Sequence, residues 1–204
     1  VPENDGVTLF QGESQTRVDA AVLALGALEP RALPGVADDA LASGRYILKP
    51  WPLLADVKPD TQAHRVIVIG LGLTGVDVLL ELASKWPNAR FTAISRHGLL
   101  PEVHQRKASL PFEDGEELVE AMHDAPDIRT WTHLLRDAIS RTDDWRRVID
   151  CLRPHTAMLW GQLSHPERSR FLRHTRWAWE RARHRMAPQV AESIRALEHD
   201  GRLH

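Results

Sequence analysis

A single run of glycines constrains this chain more than any other feature. Gly70, Gly72 and Gly75 stand in G-x-G-x-x-G spacing directly after Val66-Ile67-Val68-Ile69. The β-branched run has no polar alternation, which predicts a strand over 66–69 buried on both faces of a parallel sheet. A helix is predicted from Leu73, with Val76, Leu79, Leu80 and Ala83 in the i, i+3, i+4, i+7 pattern of a face laid on a sheet. Pro87 and Asn88 supply a turn after Trp86, and 90–95 reads as a second strand. The whole is a βαβ unit of about 30 residues, the length such a crossover needs.

In that setting each glycine has a physical task. The first permits the tight turn out of the strand, the second lets a pyrophosphate approach the backbone, and the third lets helix and strand pack closely. Amide N–H groups and the positive end of the helix dipole would then face the phosphates. The expected pyrophosphate site is therefore Gly70, Gly72, Leu73, Thr74 and Gly75. A glycine-rich turn in an ordinary α/β protein is the alternative, and the surrounding βαβ pattern favours the dinucleotide reading.

The end of the second strand selects the nucleotide. About 20 residues past the glycines, an Asp or Glu would accept hydrogen bonds from the ribose of NAD. This chain has Ser95, Arg96 and His97 there, with no carboxylate. A hydroxyl and an always-charged planar guanidinium suit a 2′-phosphate, which favours NADP over NAD. A solvated loop is the alternative for Arg96 and His97. Asp77 is expected in the first turn of the helix, where a carboxylate complements the dipole.

The totals exclude several classes. A formal net charge of −2 over 204 residues lacks the basic footprint that nucleic-acid phosphates require. No apolar run approaches the ~18–20 residues of a membrane span, and no leader pattern is read. The one cysteine, Cys151, forms no internal disulfide, consistent with an expected cytoplasmic location. Its neighbours Ile149 and Leu152 suggest a buried structural thiol. Among eleven histidines no two lie three or four residues apart, so no metal site is proposed.

Toward the N-terminus, Val7 to Phe10 reads as a strand, 11–14 as a turn, and 18–25 as a second strand ending at Gly26. Pro50, Pro52 and Pro59 mark 37–64 as a linker, with Trp51 as a packing anchor. Beyond Pro101 the pattern turns helical. Helices are predicted over 113–124, 130–141 and 143–153, the last with Trp145, Val148, Ile149 and Leu152 on one stripe. Ser164 and Glu167 have the spacing of a capping box, opening a long helix toward Met186. Pro188 starts another, carrying Val190, Ile194 and Leu197 and ended by Gly201. Trp131, Trp145, Trp160, Trp177 and Trp179 are expected mainly in the core of this half, although Trp177 and Trp179 cannot both face fully inward, with a substrate-pocket lining as the alternative. From Glu167 to Arg185 there are seven arginines against two glutamates. A solvated face is the default, with cation–π contacts or pairing to another domain as alternatives.

These residues carry a family likeness. Ala20-Ala21-Val22-Leu23-Ala24-Leu25-Gly26, Tyr46-Ile47-Leu48-Lys49-Pro50-Trp51, the glycine corner through Asp77, and 94–101 with His104 contribute to it. So do 145–150, Arg153-Pro154, Leu159-Trp160, 170–174 and His184-Arg185-Met186-Ala187-Pro188. Together they resemble the uncharacterised bacterial FAD/NAD(P)-binding protein family, two-dinucleotide flavoproteins distantly related to flavin-dependent N-hydroxylases. Gly75 stands where that family often has a larger residue such as Met, and His97 replaces a second Arg, which weakens the NADP preference.

The resemblance implies an α/β fold: a partial Rossmann-like parallel sheet with a largely α-helical insertion. Residues 1–60 would be a remnant of an FAD-domain crossover, 61–110 the NAD(P)-binding βαβ, and 111–204 the helical insertion. The chain would be an internal segment of a longer oxidoreductase, with NADP (or NAD) here, FAD bound mainly by a domain outside it, and hydride passing from NADPH to flavin. No catalytic residue is assigned. In isolation such a segment is expected to expose apolar surface and to dimerise through it. A non-catalytic nucleotide-sensing or protein-interaction module is the rival reading.

Overall fold

The computed structural model describes residues 6–22, 29–107 and 110–204. It divides into two compact units, Val1–Pro52 and Leu53–His204. In the first, β1 (Val7–Gln11) and β2 (Ser14–Val18) form an antiparallel hairpin with Gln11 opposite Ser14. The turn at 12–13 uses Gly12 with φ +60°. The second strand is thus earlier than the expected 18–25. Polar Ser14 to Arg17 pair because the tight turn sets the register, and the hydrophobic run that suggested a later strand lies partly in 23–28, outside the described residues. The expected linker contains two short helices, α1 (Asp38–Ala42) and α2 (Pro50–Asp56). Prolines in the first turn of α2 cost no intrahelical hydrogen bond, since those N–H groups have no acceptor there. Trp51 is no packing anchor; it is 55% exposed.

The second unit holds a sheet layer and a helical module. β3 (Arg65–Ile69) pairs in parallel with β4 (Arg90–Ile94), joined by α3 (Leu73–Lys85). Six residues of α3 and the strands, Val68, Val76, Leu79, Leu82, Ala83 and Phe91, share one core with Ala191, Ile194 and Leu197 of α10 (Pro188–His199). Val76, Leu79, Phe91 and Ile194 are almost completely enclosed. Each such side chain contributes about 1.5–3 kcal/mol by leaving water. Leu80, expected in the stripe, is only half-buried, and Leu82 takes the inner position.

After α10 the chain turns at Gly201 (φ +64°), as expected of an αL cap. It then runs alongside β4 in parallel: Phe91 N–H donates to Arg202 O at 2.7 Å, and Ala93 N–H to His204 O at 2.8 Å. The sheet layer therefore draws on residues beyond 61–110.

One expectation fails in this layer. β3 is not buried on both faces: Val68 faces the helices, while Ile67 and Ile69 are 64% and 58% exposed, with Ile94 beside them at 49%. Among the described residues of this unit, α3 and α10 cover one side of the sheet, and a continuous apolar run cannot reveal how many layers are present.

The helical module comprises α4 (Gly115–Asp124), α5 (Ile128–Ser140), α6 (Trp145–Leu152), α7 (Thr156–Gln162), α8 (His165–His174) and α9 (Arg176–Arg183). Its core gathers Leu118, Met122, Trp131, Ala138, Val148, Leu152 and Leu159. Asp127 and Asp144 cap α5 and α6 by accepting from Thr130 N–H and Arg146 N–H. The long helix expected up to Met186 is broken. Thr175 ends α8 by donating its hydroxyl to Phe171 O, and its own carbonyl begins α9 by accepting from Ala178 and Trp179 N–H. The capping box is half realised as well. Ser164 accepts from Glu167 N–H, but the Glu167 carboxylate crosses to accept from Ile128 N–H at 2.8 Å. α7 carried no sequence signal strong enough to be predicted.

Candidate functional site

The corner between β3 and α3 is fixed by three glycines with different constraints. Gly70 has φ +103°, a conformation that L side chains rarely adopt, and its N–H donates to Ile94 O at 2.8 Å. Gly72 is the N-cap of α3, with φ −75° and ψ 179°, and no side chain caps the helix. A Cβ on Gly70 or Gly72 would meet only open space. At Gly75 it would lie 2.0 Å from Gly70 O, so the helix rests directly on the end of the strand. Leu73 is half-buried and Thr74 exposed. The first N–H groups of an α-helix have no intrahelical acceptor, and here they begin at an exposed, uncapped turn.

The β3–β4 register brings the two halves of the expected site together. Ile69 is opposite Ile94, so Gly70 and Ser95 leave the sheet at the same carboxyl edge. That edge is where ligands bind in open parallel sheets. Ser95 is half-buried, and Arg96 and His97 are exposed. Arg96 has no ion-pair partner among the described residues. Asp77 is the fifth residue of α3, one position past the first turn where it was expected, because the helix starts at Leu73.

Sequence reasoning missed the floor of this loop. The His97 ring stacks on Trp177 with centroids 4.6 Å apart and planes inclined at 32°. Arg181 donates to Leu100 O at 2.9 Å and pairs with Glu102 at 2.6 Å, tying the loop to α9. Trp177 and Arg181 are about 80 residues along the chain from the atoms they touch, and no local pattern signals such a contact.

The tryptophans and arginines depart from their expected roles. Of the five tryptophans, only Trp131 is buried; its indole N–H donates to Met122 O at 2.7 Å. Trp145 is half-buried beside Arg146 and Arg185, whose guanidinium carbons stand 4.7 and 5.1 Å from its ring centroid. Arg185 is almost wholly enclosed and makes a two-point pair with Asp150 at 3.0 and 2.9 Å. Arg168 lies 5.6 Å over the Trp160 ring. The basic stretch is thus partly internal structure rather than a solvated face.

Burial, helped by the neighbouring Asp150, pushes the Cys151 thiol up from its ordinary value, so it stays protonated and donates to Val148 O. No group of three His, Cys, Asp or Glu side chains among the described residues is placed to hold a metal ion. No helix among them is long and apolar enough to cross a membrane.

No family model, curated protein or solved structure matches this chain. The site therefore rests on its own geometry: a glycine corner, an uncapped helix start and an unpaired guanidinium on one edge of a parallel pair of strands.

Proposed function

We propose that the β3–α3 corner binds the pyrophosphate of NADP (or NAD), in the NAD(P)-binding segment of an FAD-dependent oxidoreductase like those the sequence resembles. The observation that carries this reading is the contact between Gly75 and Gly70 O. It seats the start of α3 on the strand end, where Gly72 is an N-cap without a capping side chain and leaves the first amides of the helix free to bind an anion. Neither Gly70 nor Gly72 carries a side chain that would keep a diphosphate from this backbone. Ser95 and Arg96 would hold the 2′-phosphate, and His97, backed by Trp177, would border it. When bound, the nicotinamide supplies a hydride, which a flavin held by a further domain would accept. The chain's own contribution is to bind and orient.

Calorimetric titration with NADPH and NADH tests the reading. NADPH is expected to bind about tenfold more tightly than NADH, the weight of a charge-assisted hydrogen bond, and Arg96→Ala is expected to abolish the difference. Absence of binding by both nucleotides, or a preference untouched by Arg96→Ala, would overturn it. In a longer form that holds flavin, bleaching by NADPH separates a reductase from a sensor that binds without turnover.

A further inference from the structure

The helical module forms an open pocket of about 580 Å³ that shares no residue with the dinucleotide corner. This is several times the ~150 Å³ that accommodates a benzene ring. It also lies within the ~300–1,000 Å³ typical of small-molecule sites, which often form between helices of a bundle. Its wall is aromatic and aliphatic: Trp131, Trp160, Trp179 and Phe171 supply the rings, and the charged lining side chains are Arg176 and Glu180. Trp160 and Phe171 meet edge to face, with centroids 5.5 Å apart at 71°. Trp131 has its N–H committed to Met122 O, so it offers a flat apolar face and no donor.

The two charged residues are not equivalent. Glu180 is held by His184 at 2.7 Å, whereas its pair with Arg176 is stretched to 3.8 Å. The Arg176 side chain is 59% exposed, leaving guanidinium N–H groups able to turn toward an incoming acceptor. Arg168, over the Trp160 ring, adds positive charge nearby. Charge complementarity therefore favours an anion despite the carboxylate in the lining.

We infer that this pocket binds a small aromatic carboxylate, its rings seated among Trp131, Trp160, Trp179 and Phe171 and its carboxylate paired with Arg176. The inference is independent of the dinucleotide reading. It is tested on the full chain with three naphthalene probes of similar size: 2-naphthoate, 2-naphthylmethanol and 2-naphthylmethylammonium. Binding is followed by calorimetry and by quenching of tryptophan fluorescence.

The expected result is that 2-naphthoate binds at least tenfold more tightly than the other two, and that Arg176→Gln removes the advantage. Ala157→Trp, at an exposed lining position of α7, is expected to block all binding by filling the mouth. Both substitutions are at exposed positions, and circular dichroism verifies that the fold is retained. Failure of 2-naphthoate to bind, equal binding of the three probes, tighter binding of the ammonium, or naphthoate binding unaffected by Ala157→Trp would each overturn the proposal.

Discussion

Replacing Gly75 with alanine probes the contact on which the proposed nucleotide corner is built. The added methyl carbon would lie 2.0 Å from Gly70 O and 3.1 Å from its carbonyl carbon, with Val68 Cγ1 at 3.7 Å. The obstacle is backbone, which cannot swing aside like the end of a side chain. The start of α3 must part from the strand by roughly 1 Å, and a gap of that size forfeits about a quarter to a half of each contact's attraction. Overpacking of this kind costs about 1–3 kcal/mol. Loosened packing around Val76 and Leu79, both 1% exposed, adds to it. The better helix propensity of alanine returns at most about 1 kcal/mol. A net loss of about 2–3 kcal/mol is expected, which for a chain of this size lowers the melting temperature by about 5–10 °C.

The assay is urea unfolding followed by circular dichroism and tryptophan fluorescence, with the denaturant dependence unchanged and the midpoint lowered. Gly72→Ala is the matched control. Its φ of −75° suits any residue and its Cβ meets nothing, so stability should fall by no more than about 1 kcal/mol while NADPH binding weakens. An unchanged or raised midpoint in Gly75→Ala would refute the packing argument at this corner.

Other outcomes follow from the same reasoning. Hydrogen bonds from the Thr130 hydroxyl and N–H hold the Asp127 carboxyl below its ordinary value near 3.8. Its stabilising contribution is therefore full above that value and is lost as pH falls through the lowered one. Asp127→Ala should cost about 1 kcal/mol at pH 7, and melting curves of the two proteins should converge at strongly acidic pH. Asp150→Ala leaves the enclosed Arg185 guanidinium without its carboxylate; because Asp150 itself is 40% exposed, water can partly replace it. The expected loss is about 2 kcal/mol by chemical denaturation, below the ~3–5 kcal/mol of a fully buried pair. On the uncovered sheet face, Ile67→Thr should change stability by no more than about 0.5 kcal/mol. A larger loss, with a sedimentation shift toward monomer, would show that this face is already packed against something in solution.

Local chemistry alone settled several features. The need for glycine at 70 and 75, the capping role of Ser164, the stop at Gly201 and the stripe through Val148, Ile149 and Leu152 are each written within a few residues. A turn's φ requirement, a cap and a helical period all act over that range. Longer-range choices were decided only by the tertiary structure. Ile67 and Ile69 look like core from their neighbours, yet among the described residues they stay exposed, because burial depends on which distant helices arrive. Thr175 divides what periodicity reads as one helix, and Glu167 leaves its own cap to serve Ile128. Arg181 and Arg185 read as solvated charge until Glu102 and Asp150, brought from far along the chain, pair with them. The pocket at Arg176 is likewise a product of packed helices, since no single segment forms it.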